Sequence, residues 1–171
     1  MSRANLLPVL FFLLLFVSCR EKWVVYAADE FTIEFPEAPG DTATISERTV
    51  NVKVFYEPET GSGDSNLYYS LSVYSLSDSI AILGDDLKDF FKKDVQIFAW
   101  SIGAGFEDTG RVVTSGKTQG REYTVVMADN TVATVRKFAY GKNLYTLMVI
   151  TGGCCYDNSQ QRKYFESFKL K

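Results

Sequence analysis

Residues 120–151 read GREYTVVMADNTVATVRKFAYGKNLYTLMVIT. Three runs rich in β-branched and aromatic residues are separated by two turn signals, Asp129-Asn130 and Gly141-Lys142-Asn143. That pattern predicts three consecutive antiparallel strands joined by tight turns. In the last run, side chains alternate along the strand. Leu144, Thr146, Met148 and Ile150 fall on one face, and Tyr145, Leu147 and Val149 on the other. A strand apolar on both faces belongs near the centre of a sheet covered on both sides.

The flanking sequence predicts what covers that sheet. Phe31-Thr32-Ile33-Glu34-Phe35 alternates apolar and polar and is stopped by Pro36 and Pro39-Gly40. A long strand is expected over Thr42 to Tyr56, then a polar, glycine-rich loop over residues 57–66, then a strand over Leu67 to Tyr74. The period then changes. Leu83, Leu87, Phe90, Phe91, Val95, Phe98 and Ile102 recur at spacings of three and four, which marks an amphipathic helix ending at Gly103-Ala104-Gly105. Its cap is sought at Asp85, or earlier at Ser77 or Asp78. A short strand is expected near Arg111 to Ser115. A terminal helix, capped by Asn158 or Ser159, presents Tyr164, Phe165 and Phe168. The expected fold class is α+β: one antiparallel sheet flanked by helices on both faces, an αβα sandwich in a single domain over residues 23–171.

Residues 1–18 are expected to be a signal peptide. Arg3 supplies a positive charge, and Leu6–Val17 is an apolar run of twelve, LLPVLFFLLLFV. That is short of the roughly 20 residues a membrane-spanning helix needs and fits a signal-peptide core. Ser18-Cys19 directly follows it and resembles a bacterial lipobox, with Phe16 in place of the usual leucine. The resemblance implies diacylglycerol on the Cys19 thiol, cleavage before Cys19 and acylation of the new amino terminus, since several chains anchor stably where one does not. Arg20, where an aspartate would favour inner-membrane retention, points to the outer membrane of a bacterial envelope. Residues 19–22 leave only a short tether.

Composition restricts the chemistry. The chain carries 18 basic and 21 acidic side chains, a net charge of −3, and no block of basic residues. It therefore lacks the electrostatic footprint of a nucleic-acid binder. There is no histidine, which removes Ser-His-Asp and Cys-His nucleophile arrangements and histidine-bearing metal sites. Once Cys19 is acylated, Cys154 and Cys155 are the remaining thiols. They are adjacent, so the readings are a pair of free thiols or a strained vicinal disulfide, and a metal site would need further ligands. Asp85-Asp86 with Asp89 lies among Lys88, Lys92 and Lys93 and reads as a solvated helix face, as does Asp29-Glu30. Trp100, Tyr140 and Tyr156 are candidates for an aromatic surface. No cofactor, metal ligand or catalytic residue is assigned.

Four motifs together resemble the PsbP-like fold, shared by a photosystem II extrinsic subunit, a Ran-binding transport factor and many bacterial lipoproteins. They are Phe31–Pro36, Gly120-Arg121-Glu122-Tyr123, Asn143–Val149 and Phe165-Glu166-Ser167-Phe168-Lys169-Leu170. The resemblance implies an antiparallel sheet between helices and function through protein contact, with no catalytic residues to carry over. The expectation is a lipid-anchored, non-catalytic accessory or binding module for another envelope protein. Two alternatives remain: a small-ligand binder or hydrolase-like enzyme with a carboxylate/tyrosine pocket between sheet and helix, and a structural envelope component.

Overall fold

The computed structural model describes residues 23–46, 49–75 and 86–171. In chain order the elements are β1 (Val24–Ala27), β2 (Phe31–Phe35), β3 (Gly40–Ser46), β4 (Thr49–Tyr56), β5 (Asn66–Ser75), α1 (Leu87–Ser101), β6 (Gly105–Ser115), β7 (Thr118–Val126), β8 (Val132–Tyr140), β9 (Asn143–Thr151), α2 (Ser159–Ser167) and β10 (Lys169–Leu170). Seven strands form one antiparallel sheet in the order β3-β4-β5-β9-β8-β7-β6. The predicted meander is β7, β8 and β9, and β9 is the middle strand of the seven. Its two faces bury different cores. Tyr145, Leu147 and Val149 join one cluster with β2 and α2, while Leu144, Met148 and Ile150 join another with α1.

The expected layers need one correction. Only one face of the large sheet is covered by a helix alone. The other is covered by a second antiparallel sheet, β1-β2-β10, with α2 packed against β2. Phe31, Ile33 and Phe35 are buried between the two sheets beside Tyr145, Leu147 and Phe168. Among the described residues there are thus two antiparallel sheets with two helices rather than a sheet between helical layers. The physical reason is that alternation tells which side of a strand is buried and is silent about its pairing partner. Pro36 and Pro39 interrupt the chain between β2 and β3. The strands before and after them join different sheets. At nine residues, α2 is too short to cover a seven-stranded face.

Two smaller differences concern single strands. The segment expected as one strand over Thr42 to Tyr56 is a hairpin, β3 and β4, paired from Gly40↔Phe55 to Ser46↔Thr49. The strand expected near Arg111 begins earlier, at Gly105, and carries an irregularity between Glu107 and Arg111. The α1 helix ends as predicted. Gly103 adopts φ 66°, its N–H donates to Trp100 O, and the Ala104 N–H donates to Ala99 O. Those two bonds are a Schellman motif. Leu83 and the proposed caps Ser77, Asp78 and Asp85 lie outside the described residues; Asp86 holds the cap position without a side-chain cap bond.

The family-like motifs are packing devices. Gly120 sits on β7 where a Cβ would lie 2.4 Å from Lys137 O and 2.6 Å from the Phe138 ring. Arg121 donates to Gly110 O (2.8 Å), Glu122 pairs with Arg136 (2.6 Å) and Arg111 (3.3 Å), and Tyr123 is buried against α1. Arg136 in turn lies over the Phe165 ring, 4.4 Å from its centroid.

A candidate ligand groove beneath helix α1

The α1 helix packs over β6 and β7 and buries Phe91, Val95 and Ala99. Among the described residues it leaves β4 and β5 less covered. The result is a groove of about 530 Å³ between the helix and the sheet, a size typical of small-molecule sites. Its floor is polar and its walls are apolar. Register explains the floor. Lys53 on β4 is opposite Ser72 on β5, Ser72 is opposite Thr146 on β9, and Thr146 is opposite Lys137 on β8. Directly opposed residues share a face, so two lysines and two hydroxyls form one row across four strands, with Ser70 beside it on β5.

Lys137 is the unusual member. It is 3% exposed, and its ammonium donates to Thr146 Oγ1 (2.8 Å) and pairs with Asp94 of α1 (2.5 Å). Burial holds its pKa below the ordinary lysine value, and the Asp94 charge works against that shift. An ammonium offers three donors. Lys53, at the exposed side of the row, lies over the Tyr68 and Phe55 rings, 5.2 and 5.7 Å from their centroids. Phe90, Ile97, Phe98, Leu144 and Met148 make the apolar walls. The arrangement can desolvate a small molecule, give its apolar part a dry surface and offer its polar end one buried cation and several hydroxyls.

The loops at one end of the large sheet are tied together instead of standing open. Tyr69 OH donates to Asp64 Oδ2 (2.6 Å), and Asn66 Nδ2 donates to Tyr69 OH (2.6 Å). Asn66 and Asn158 also bond to each other, and Asn158 Oδ1 caps α2 by accepting from Gln161 N (2.8 Å). Burial, then the Asp64 bond, pushes the Tyr69 phenol well above its usual range. This network links the loops at residues 57–66 and 152–157. Glu30 is likewise more than a solvated carboxylate: it accepts from Tyr145 OH and Asn143 Nδ2, both at 2.6 Å, joining the small sheet to β9.

Cys154 and Cys155 are free thiols with Sγ···Sγ 2.9 Å, in a turn where Cys155 N donates to Gly152 O. Their mutual hydrogen bond is the first cause that raises the Cys155 thiol pKa. Cys19 lies outside the described residues. Trp100, Tyr140 and Tyr156 are exposed and do not meet. Tyr140 closes the β8–β9 hairpin opposite Asn143, whereas Tyr156 follows Thr151 at the far end of β9. Among the described residues no group of three metal-ligating side chains occurs, and no helix is long and apolar enough to cross a membrane. No family model matches the chain, and no curated protein matches it either.

Sequence reasoning misses the groove because each of its residues looks ordinary alone. Asp94 reads as part of a charged helix face, yet it reaches Lys137. One signal is present. Arg136-Lys137 are consecutive in a strand expected to be covered on both sides, so each layer must receive one cation.

Proposed function

We propose that this protein is a lipid-anchored, non-catalytic binding protein of the bacterial envelope that holds its ligand in the groove beneath α1. The observation that carries the binding role is the Lys137–Asp94 pair set in the polar floor of an apolar-walled cleft between helix and sheet. A buried lysine costs stability relative to a well-packed apolar side chain, and a cleft beside it is a default location for a ligand. The envelope location rests on the lipobox-like Ser18-Cys19. Among the expected alternatives, the pocket between sheet and helix favours small-ligand binding over a purely structural role.

Two experiments test this. Labelled palmitate is expected to enter the wild-type protein in a bacterial host and to be absent from Cys19→Ala. Protein purified from envelopes is expected to carry a small molecule, released on denaturation and detected by mass spectrometry. Ser72→Phe, which fills the floor of the groove, abolishes that cargo while the fold is retained by circular dichroism. Equal cargo in both proteins counts against the groove.

A further inference from the structure

We infer that the domain stands on the bilayer with one end of its large sheet, the end of Asn66 and Thr151, and seats a rim of Trp100, Ile102, Tyr156 and Leu67 among zwitterionic lipid headgroups. The inference rests on the membrane anchor of the proposed function and adds the surface that meets the membrane. Strand pairing brings the rim together. Asn66 is opposite Thr151, Thr151 is opposite Val132, Val132 is opposite Val126, and Val126 is opposite Gly105. Leu67 follows Asn66, and Tyr156 lies in the loop after Thr151. Trp100 and Ile102 stand at the end of α1, just before Gly105, where the Gly103 N–H donates to Trp100 O. Trp100 is 67% exposed, Tyr156 63% and Leu67 53%. Trp23 belongs to the same end. Its ring meets the edge of Tyr69, with centroids 6.3 Å apart, and Tyr69 bonds Asn66.

The reach of the chain decides which end faces the membrane. Cys19 precedes Trp23 by four residues, and a fully extended chain of that length spans at most about 14 Å. Strand β9 has nine residues, which at the rise of a strand is roughly 30 Å. With the opposite end on the membrane, Trp23 would be held a strand length above it, beyond the reach of an anchor at Cys19. The side chains fit this placement. Tryptophan and tyrosine carry an apolar body and a polar tip, and they settle at membrane–water boundaries. Charge selects the headgroup. Glu57, Glu59 and Asp129 stand in the turns of the rim end, whereas Lys117 and Lys142 occupy the turns of the opposite end. Of the cations beside the rim, Arg162 pairs with Asp157 and Lys163 lies over the Trp23 ring. No basic cluster faces the lipid, so anionic headgroups gain nothing there.

The test uses the full lipidated chain in phosphatidylcholine vesicles, with lipids brominated near the headgroup end of the acyl chain to quench tryptophan fluorescence. The sequence has two tryptophans, Trp23 and Trp100. Trp23→Phe leaves Trp100 to report on the rim. Trp23→Phe and Trp100→Phe combined with Tyr140→Trp report on the opposite end. With the rim roughly 5–10 Å into the boundary, Trp100 is expected to be quenched at least about twofold more than the reporter at position 140. Tyr156→Glu together with Ile102→Glu should lower Trp100 quenching to the level at position 140, with palmitate incorporation and circular dichroism unchanged. Enriching the vesicles in phosphatidylglycerol should not deepen the quenching. Equal quenching at the two ends, stronger quenching at position 140, or a rise with phosphatidylglycerol overturns the inference. If palmitate enters the protein and Trp100 is unquenched, the anchor stands and the docking surface falls. If palmitate does not enter and Trp100 is still quenched, the surface stands and the lipid anchor falls. If palmitate does not enter and Trp100 is unquenched, both fall.

Discussion

Replacing Asp94 by asparagine isolates the energetics of the groove. The substitution keeps the shape of the side chain and removes its charge. Lys137, 3% exposed, would then hold an ammonium against Thr146 Oγ1 without a counter-ion in the present pair. Breaking a fully buried ion pair costs roughly 3–5 kcal/mol, because one charge is stranded. Exposed pairs are worth about 0–1 kcal/mol. The Asp94 side chain is 50% exposed, so solvent partly screens the pair, and the expected cost lies between the two limits, roughly 1–3 kcal/mol. Urea unfolding of the purified protein measures it. A chain of this size loses about 2–4 °C in Tm per kcal/mol, so thermal melting gives a second reading. The cost has a sign in pH. Burial lowers the Lys137 pKa in the folded state below the ordinary lysine value. Below that folded pKa the buried charge destabilises in full. As pH rises toward the unfolded value the unfolded chain binds more protons, and stability recovers. The Asp94→Asn deficit should therefore shrink as pH rises from below the folded Lys137 pKa toward about 10.4, the value for an unfolded lysine. On a Lys137→Met background the same substitution should cost close to nothing, since no charge is left to strand. A deficit that is equal on both backgrounds, or indifferent to pH, refutes the account of Lys137 as a buried ammonium.

The other expectations concern single contacts. Tyr164 is fully buried and its hydroxyl has no hydrogen-bond partner among the described residues; Tyr164→Phe should leave stability unchanged or raise it by about 1 kcal/mol in urea unfolding, since an unsatisfied polar group is removed. Gly120→Ala brings a Cβ to 2.4 Å from Lys137 O and 2.6 Å from the Phe138 ring, so β7 must shift; the expected loss is roughly 1–3 kcal/mol in the same assay. Alkylation without prior reduction, read by mass spectrometry, should label both Cys154 and Cys155; labelling of neither in oxidised envelopes, reversed by a reductant, would identify the vicinal disulfide instead.

How much is legible in the sequence depends on whether the information is local. The β7–β9 meander, the two-sided burial of β9, the glycine stop of α1 and the Asn158 cap all follow from alternation, helical spacing and turn chemistry within a few residues. What covers the second face is not legible, because Phe31, Ile33 and Phe35 alternate identically whether β2 joins the large sheet or lies across it. The β3–β4 hairpin escapes detection because Thr42 to Tyr56 reads as one β-rich run. The groove is harder still. Lys53, Ser72, Thr146 and Lys137 become neighbours only through the register of four strands, and Asp94 reaches Lys137 from a helix more than forty residues earlier in the sequence. The serines on β5 and the threonine on β9 are visible as polar breaks in strand faces. Their position beside a buried lysine is not.

The most direct test of the groove as the working part of this protein watches Lys137 itself. Lysine side chains labelled with 13C and 15N give one resonance per ammonium, and Lys137→Met identifies its signal. On titration with the cargo released from the envelope-purified protein, the Lys137 resonance should shift saturably, with the lysines of the opposite layer, Lys163 and Lys169, unmoved. A Lys137 signal that stays still while the cargo binds, or that moves no more than Lys163, would contradict the account.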